Sequence, residues 1–169
     1  MVKTVLVTGG NGFVASWCVV DLLARGYTVR TTLRSLDKEP ALRAAVAGAA
    51  GSADGLTCVV ADLMRDDGWA AATAGCDYVL HVASPLGGGT TGDRESLVAP
   101  ARDGTLRVLR AAVTAGVKRV VMTSAAATTR ARLDSGIASD ETVWADPEDP
   151  QFDAYRVSKI RAERRRGIS

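Results

Sequence analysis

An alternation governs what this chain can become. Short, β-rich apolar runs recur at Thr4–Thr8, Tyr27–Leu33, Leu56–Ala61, Tyr78–Ala83 and Arg119–Thr123. Within them "VLV", "CVV" and "YVLHV" are continuously apolar, as strands covered on both faces require. Helical periodicity fills the intervals. Val14, Trp17, Cys18 and Leu22 fall at helical offsets, as do Leu97, Ala101, Gly104, Val108 and Ala112. Gly26 supplies a glycine stop to the first helix, Lys38 to Ala50 reads as a second, and Asp66 to Ala74 as a short third. Strands and helices in turn predict an α/β chain, a doubly wound parallel sheet of about five strands joined by right-handed crossovers. At 169 residues and 47% apolar, the chain can bury the core of one domain spanning 1–169.

Charge and cysteine content exclude more than they suggest. A net charge of +2 predicts no nucleic-acid and no membrane partner. "MVKTVLVTGG" breaks its apolar run too early for a signal peptide or a membrane span, which makes cytoplasm the expected location. Cys18, Cys58 and Cys76 are odd in number and lack metal spacing, so buried thiols are expected, with no metal site and no disulfide framework. Arg161, Arg164, Arg165 and Arg166 read as a solvated last helical turn rather than a phosphate-binding tail.

The most specific local signal is "VTGGNGFVAS", Val7 to Ser16. Its glycines follow the first strand and open the first helix with the spacing Gly9-x-x-Gly12-x-x-Ala15. Glycine there permits a tight turn and lets a pyrophosphate approach the backbone at a helix N-terminus. A tight turn alone is the plainer reading. A Walker-type loop is disfavoured because no Lys-Ser/Thr follows. After the second strand, "VRTTLRSLDK" places Arg34 where NAD binders carry an acid, with Lys38 near enough to assist. That pattern favours NADP and disfavours a methyltransferase. "FDAYRVSKIRAE" sets Tyr155 and Lys159 four apart on one helix face. An ammonium beside a phenol stabilises its anion, so such a tyrosine can give a proton to a carbonyl oxygen as hydride reaches carbon. A surface pair is the competing reading.

"VTGGNGFVAS", "ARGYTVRTTLRS", "ADL", "YVLHVASP", "GTLRVLRAA", "VKRVVMTSAAAT" and "YRVSK" occur in the order found in extended short-chain dehydrogenases/reductases. "TLRS", "HVASP" and "DETVW" resemble the dihydroflavonol reductase/cinnamoyl-CoA reductase-like branch of this NAD-dependent epimerase/dehydratase superfamily. The resemblance runs from about Thr4 to Glu163. It implies a Rossmann fold and an NADPH-dependent oxidoreductase acting on a small-molecule carbonyl. By this resemblance Thr8, Gly9, Asn11, Gly12, Phe13 and Val14 line the cofactor phosphates. Arg34 and Lys38 hold the 2′-phosphate, Asp62 and Leu63 flank the adenine, and Val82, Ala83 and Ser84 run beneath the nicotinamide half. Tyr155 is then the proton donor, while Lys159 tunes it and bonds the ribose. His81 is expected to be a packed strand residue rather than a base.

Two departures accompany the resemblance. A gapless alignment of "VVMTSAAAT" puts Ser124 at the first of two hydroxyl positions and Ala125 at the second. Strand alternation would turn these two to opposite sides, which counts against Ser124 at the second position's task; that parity fails where the chain leaves the sheet, and there Ser124, or Thr128 further on, could serve as the catalytic hydroxyl. Family members also continue past this helix into a smaller substrate domain, so the chain reads as the N-terminal part of a longer fold. Its fifth strand, "RVVM", would then be a sheet edge open to a homodimer. A non-catalytic NADP-binding module, an inactive remnant and a sugar-nucleotide epimerase or dehydratase are the alternative functions.

Overall fold

The computed structural model describes residues 2–85, 94–129 and 136–164. Its strands are β1 (Thr4–Val7), β2 (Thr28–Leu33), β3 (Leu56–Val60), β4 (Tyr78–His81) and β5 (Arg119–Met122); its helices are α1 (Phe13–Ala24), α2 (Glu39–Ala50), α3 (Trp69–Thr73), α4 (Arg94–Thr114) and α5 (Ala154–Arg164). All pairings are parallel, in the order β3-β2-β1-β4-β5. The order reverses between β1 and β4, the switch point at which open α/β sheets take their ligands.

Packing divides the chain into two compact units, one of Met1–Ser84 with Leu106–Thr123, the other of Pro85–Thr105 with Ser124–Ser169. The first unit holds the sheet and two cores. Leu6 and Val79 pack with Trp69 and Ala72 of α3 and with Val108 and Ala112 of α4. Val7, Val29 and Leu33 pack with Ala15 and Val19 of α1 and with Leu42 and Val46 of α2. Consecutive residues of β1 thus feed opposite faces, which is why the run is apolar without a break. In the second unit, Val98, Ala145 and Phe152 surround Val157 and Ile160 of α5. Asp153 opens that helix by accepting the Arg156 N–H at 2.8 Å.

Several sequence expectations are corrected here. The stripe on α1 is not the one its apolar residues suggest: Val14 and Trp17 are exposed, Trp17 at 57%, whereas Ala15 and Val19 are buried. The small Ala15 lets the helix lie close to the sheet. α3 begins at Trp69 rather than Asp66, because Gly68 adopts a left-handed φ of +85° against the Val60 carbonyl. β4 ends at His81, since the next two N–H groups leave the ladder for the Thr8 hydroxyl. A 3-10 turn at Leu36–Lys38, capped by Ser35, precedes α2.

Arg30 shows how strand and helix are tied. Its Nη1 lies 2.7–3.1 Å from the carbonyl oxygens of Ala71, Ala72 and Ala74, so a β2 cation closes the C-terminus of α3. β5 lies at the sheet edge, with Val121 53% exposed. Burial raises the thiols of Cys18 and Cys76, and takes that of Cys58 to about 11. No helix among the described residues is long and apolar enough to cross a membrane.

Candidate functional site

The glycine turn sits at the switch point and is held by β2. Gly9 (φ +74°) donates its N–H to Thr32 Oγ1 at 2.9 Å, and Gly10 donates to the Thr32 carbonyl at 3.0 Å. A Cβ on Gly10 would lie 2.2 Å from Thr31 Oγ1, and one on Gly9 would lie 3.0 Å from the Ala83 Cβ. Neighbouring protein therefore demands the first two glycines. Gly12 differs. A Cβ there would meet only the Gly9 carbonyl, at 3.2 Å, and the residue is exposed. It is also the N-cap of α1, which has neither a side-chain cap nor an acid in its first turn. The leading N–H groups of α1 are thus left for an outside acceptor, the arrangement that suits an anion. Asn11, Phe13 and Val14 are exposed around this end, Phe13 at 81%.

Thr8 takes a different part from the one expected. Its side chain is fully buried, and Oγ1 accepts the N–H groups of Val82 (3.1 Å) and Ala83 (2.9 Å) while lying 2.9 Å from His81 Nδ1. With both lone pairs engaged by those N–H groups, the hydroxyl proton is directed at Nδ1. The hydroxyl is a strut between β1 and the segment after β4, and the expectation that Thr8 lines a phosphate is corrected for its side chain. His81 is the packed strand residue that its place in the motif suggested.

At the end of β2, Arg34 and Lys38 are exposed, and neither side chain is bonded to a described residue. The acid between them is engaged: Asp37 accepts the Ser35 hydroxyl at 2.7 Å. Asp62, after β3, accepts the Met64 N–H at 2.9 Å, and Leu63 packs on the α3–α4 core. Arg107 braces that turn, pairing with Asp66 and donating to the Leu63 carbonyl at 2.8 Å. Val82, Ala83 and Ser84 are all half-buried. A separate groove of ≈ 550 Å³ between α3 and α4 shares no residue with these candidates.

In the second unit, Tyr155 and Lys159 project from α5. The Tyr155 side chain is at the surface (36% exposed), Lys159 is 8% exposed, and its Nζ lies 5.9 Å from the Tyr155 ring centroid. That is within reach of a cation–π contact. Burial pushes the Lys159 ammonium below its ordinary range, and the Glu163 carboxylate opposes the shift. Ser124 lies beyond the end of β5, so strand alternation does not decide its direction, and both it and Ala125 are half-buried. Its hydroxyl donates to Glu163 and lies 3.3 Å from Thr128 Oγ1. Thr128 is excluded as a replacement donor, because it is buried and its hydroxyl goes to the Ala125 carbonyl at 2.9 Å.

Residue-by-residue reading missed Gly10, Thr31, Thr32 and Glu163. Two adjacent hydroxyl residues near the end of β2, the strand after the glycine turn, were the available signal for the threonines. Glu163 continued the four-residue spacing of Tyr155 and Lys159. The glycine-rich stretch at 86–93 and Arg165 and Arg166 lie outside the described residues.

Comparison with known proteins places this geometry. Residues 5–165 match the NAD dependent epimerase/dehydratase family. Cinnamoyl-CoA reductase 1 of Petunia hybrida is 43% identical over 150 residues, covering 86% of this chain and 43% of that protein. The crystal structure of vestitone reductase from alfalfa (Medicago sativa) superposes with a TM-score of 0.77 at 34% identity, over 95% of this chain and 50% of that one. The yeast methylglyoxal/isovaleraldehyde reductase Gre2, solved with NADPH, gives a TM-score of 0.77 at 29% identity, over 96% and 51%. The chain spans about half the length of these relatives. With the strand order, the glycine turn and the Tyr155–Lys159 spacing in register with a family match over nearly its whole length, the chain belongs to the NAD dependent epimerase/dehydratase family.

Proposed function

We propose that this chain serves the NADPH-dependent reduction of a ketone or aldehyde to an alcohol. The observation that carries the reading is on α5, where a surface tyrosine stands four residues from a buried lysine. The residues present suit the cofactor. Gly12 and the uncapped first turn of α1 are an open, electropositive seat for a pyrophosphate. Arg34 and Lys38, exposed beside no uncommitted acid, suit a 2′-phosphate. Asp62 and Leu63 serve the adenine end, Val82 to Ser84 the nicotinamide half, and Lys159 the ribose.

When bound, NADPH supplies hydride to the carbonyl carbon. Tyr155 gives its phenolic proton to the carbonyl oxygen, and the Lys159 ammonium stabilises the phenolate left behind. The curated and structural relatives named above are reductases, which supports reduction over sugar-nucleotide chemistry. A binding module without turnover is the second reading, favoured by the Ser124 hydroxyl being directed at Glu163 with Ala125 next to it. Pairing of two copies along β5 belongs to the same proposal and is read by sedimentation.

Calorimetric titration with NADPH and NADH, followed by a carbonyl screen, tests the reading. Arg34→Ala should weaken NADPH about 10- to 100-fold, the worth of a charge-assisted hydrogen bond, and leave NADH nearly unchanged. Tyr155→Phe should lower turnover by about 10²–10⁴ with NADPH affinity kept. Equal loss for both dinucleotides would overturn the 2′-phosphate assignment. An unaltered rate in the phenylalanine variant would overturn the proton-donor role.

A further inference from the structure

We propose that the groove between α3 and α4 is a second ligand site for a small organic anion, an apolar body carrying one carboxylate or sulfonate. It lies wholly within the first unit and owes nothing to the reductase reading.

The groove offers ≈ 550 Å³, within the range of about 300–1,000 Å³ that small-molecule sites occupy. Trp69, Ala70 and Ala74 line it from the α3 side, Ala111 and Ala115 from the α4 side. The polar groups of these walls are spent elsewhere. Trp69 Nε1 donates to the carbonyls of Asp62 and Arg65 at 3.1 and 3.0 Å, and the Thr73 hydroxyl donates to the Trp69 carbonyl at 2.9 Å. The carbonyls of Ala71, Ala72 and Ala74 accept Arg30. All these bonds survive when an apolar body displaces water from the walls, so its entry leaves none of these groups orphaned.

Charge sets what that body must carry. The lining holds two arginines against one carboxylate. Asp66 pairs with Arg107, which also donates to the Leu63 carbonyl, so both are committed. Arg110 follows about one turn later on α4, exposed, with its side chain bonded to no described residue. The surplus positive charge of the groove is therefore the Arg110 guanidinium. Placed beside apolar surface, it can grip a carboxylate or sulfonate through two parallel N–H groups while the body of the ligand lies along the alanines.

The test uses two fluorescent probes that share one body. Anilinonaphthalene sulfonate carries the anion, and N-phenylnaphthylamine lacks it. Both are titrated into the full chain, with and without saturating NADP, and circular dichroism confirms that each variant is folded. Saturable sulfonate binding that NADP leaves unaltered is expected. Arg110→Gln should weaken the sulfonate about fivefold, as loss of an exposed charge pair does, and leave the neutral probe unchanged. Ala70→Trp, at an exposed helix position, should fill the groove and abolish saturable binding of both probes. Should one variant fail to fold, the other decides. No sulfonate binding, displacement by NADP, a sulfonate that Arg110→Gln does not selectively weaken, or full binding to folded Ala70→Trp each overturns the proposal. A chain that holds the sulfonate through Arg110 yet takes no NADP defeats the reductase reading alone.

Discussion

The turn after β1 and the ladder on α5 use polar residues in opposite ways. Around the turn, Thr8, Thr31 and Thr32 are buried, and their hydroxyls bond to backbone or to a neighbouring strand residue. Thr31 donates to the Val7 carbonyl at 2.7 Å, and Thr32 receives the Gly9 N–H. On α5 the polar atoms meet other side chains: Lys159 meets the Tyr155 ring, and Glu163 receives Ser124. One region fixes the path of the chain so that N–H groups are left aimed outward. The other arranges groups whose charge and proton content can change. Loss of a residue in the first should appear as instability, and in the second as altered chemistry.

The largest effect expected from breaking this contrast is at Gly10. An alanine Cβ would collide with Thr31 Oγ1 at 2.2 Å and with Thr31 Cγ2 at 2.8 Å, neither of which can swing away without losing the bond to Val7. Overpacking of this kind costs about 1–3 kcal/mol and sometimes more, and the broken hydrogen bond adds about 1 kcal/mol. Gly10→Ala should therefore lower urea-melt stability by about 2–4 kcal/mol, or prevent folding. Gly12→Ala, facing only the Gly9 carbonyl, should fold and lose dinucleotide affinity instead. A stable Gly10→Ala, or a Gly12→Ala that binds normally, would show that the glycines have been assigned to the wrong tasks.

Thr8→Val comes next. Valine keeps the volume and leaves the N–H groups of Val82 and Ala83 and the Nδ1 atom of His81 facing methyl groups. Unsatisfied buried groups cost about 1–3 kcal/mol each, partly relieved by relaxation, so a loss of about 2–3 kcal/mol is expected. A neutral effect on melting would mean that the strut is dispensable.

How far these roles could be read from the sequence depends on what each rests on. The alternation of elements was legible because unbroken apolar runs and helical offsets are local. The glycine turn was legible as a turn. Its reason was only half legible, because the clash of Gly10 with Thr31 joins residues 21 apart through β1–β2 register. The face of α1 was misread, since periodicity finds apolar residues and cannot tell a small buried Ala15 from a large exposed Trp17. Tyr155 and Lys159 stood out by spacing and resemblance. Glu163 did not, because its meaning comes from Ser124, 39 residues earlier.

The smallest effect is expected at Ser124, and it bears most directly on the ladder. If this hydroxyl served as a donor to a carbonyl oxygen, its removal should cost on the order of 10²–10³ in rate. Its proton is directed to Glu163 instead, and Thr128 gives its own to the Ala125 carbonyl. A carbonyl arriving near Ser124 would therefore meet an acceptor, and the donor for the reaction would be Tyr155 alone. Ser124→Ala should lower turnover of any carbonyl substrate less than tenfold and cost about 1 kcal/mol in stability, as a half-buried hydrogen bond does. A hundredfold loss of turnover with stability intact would mean that substrate draws the hydroxyl away from Glu163, in which case the carboxylate is a resting place for that proton and the ladder gains a third chemical member.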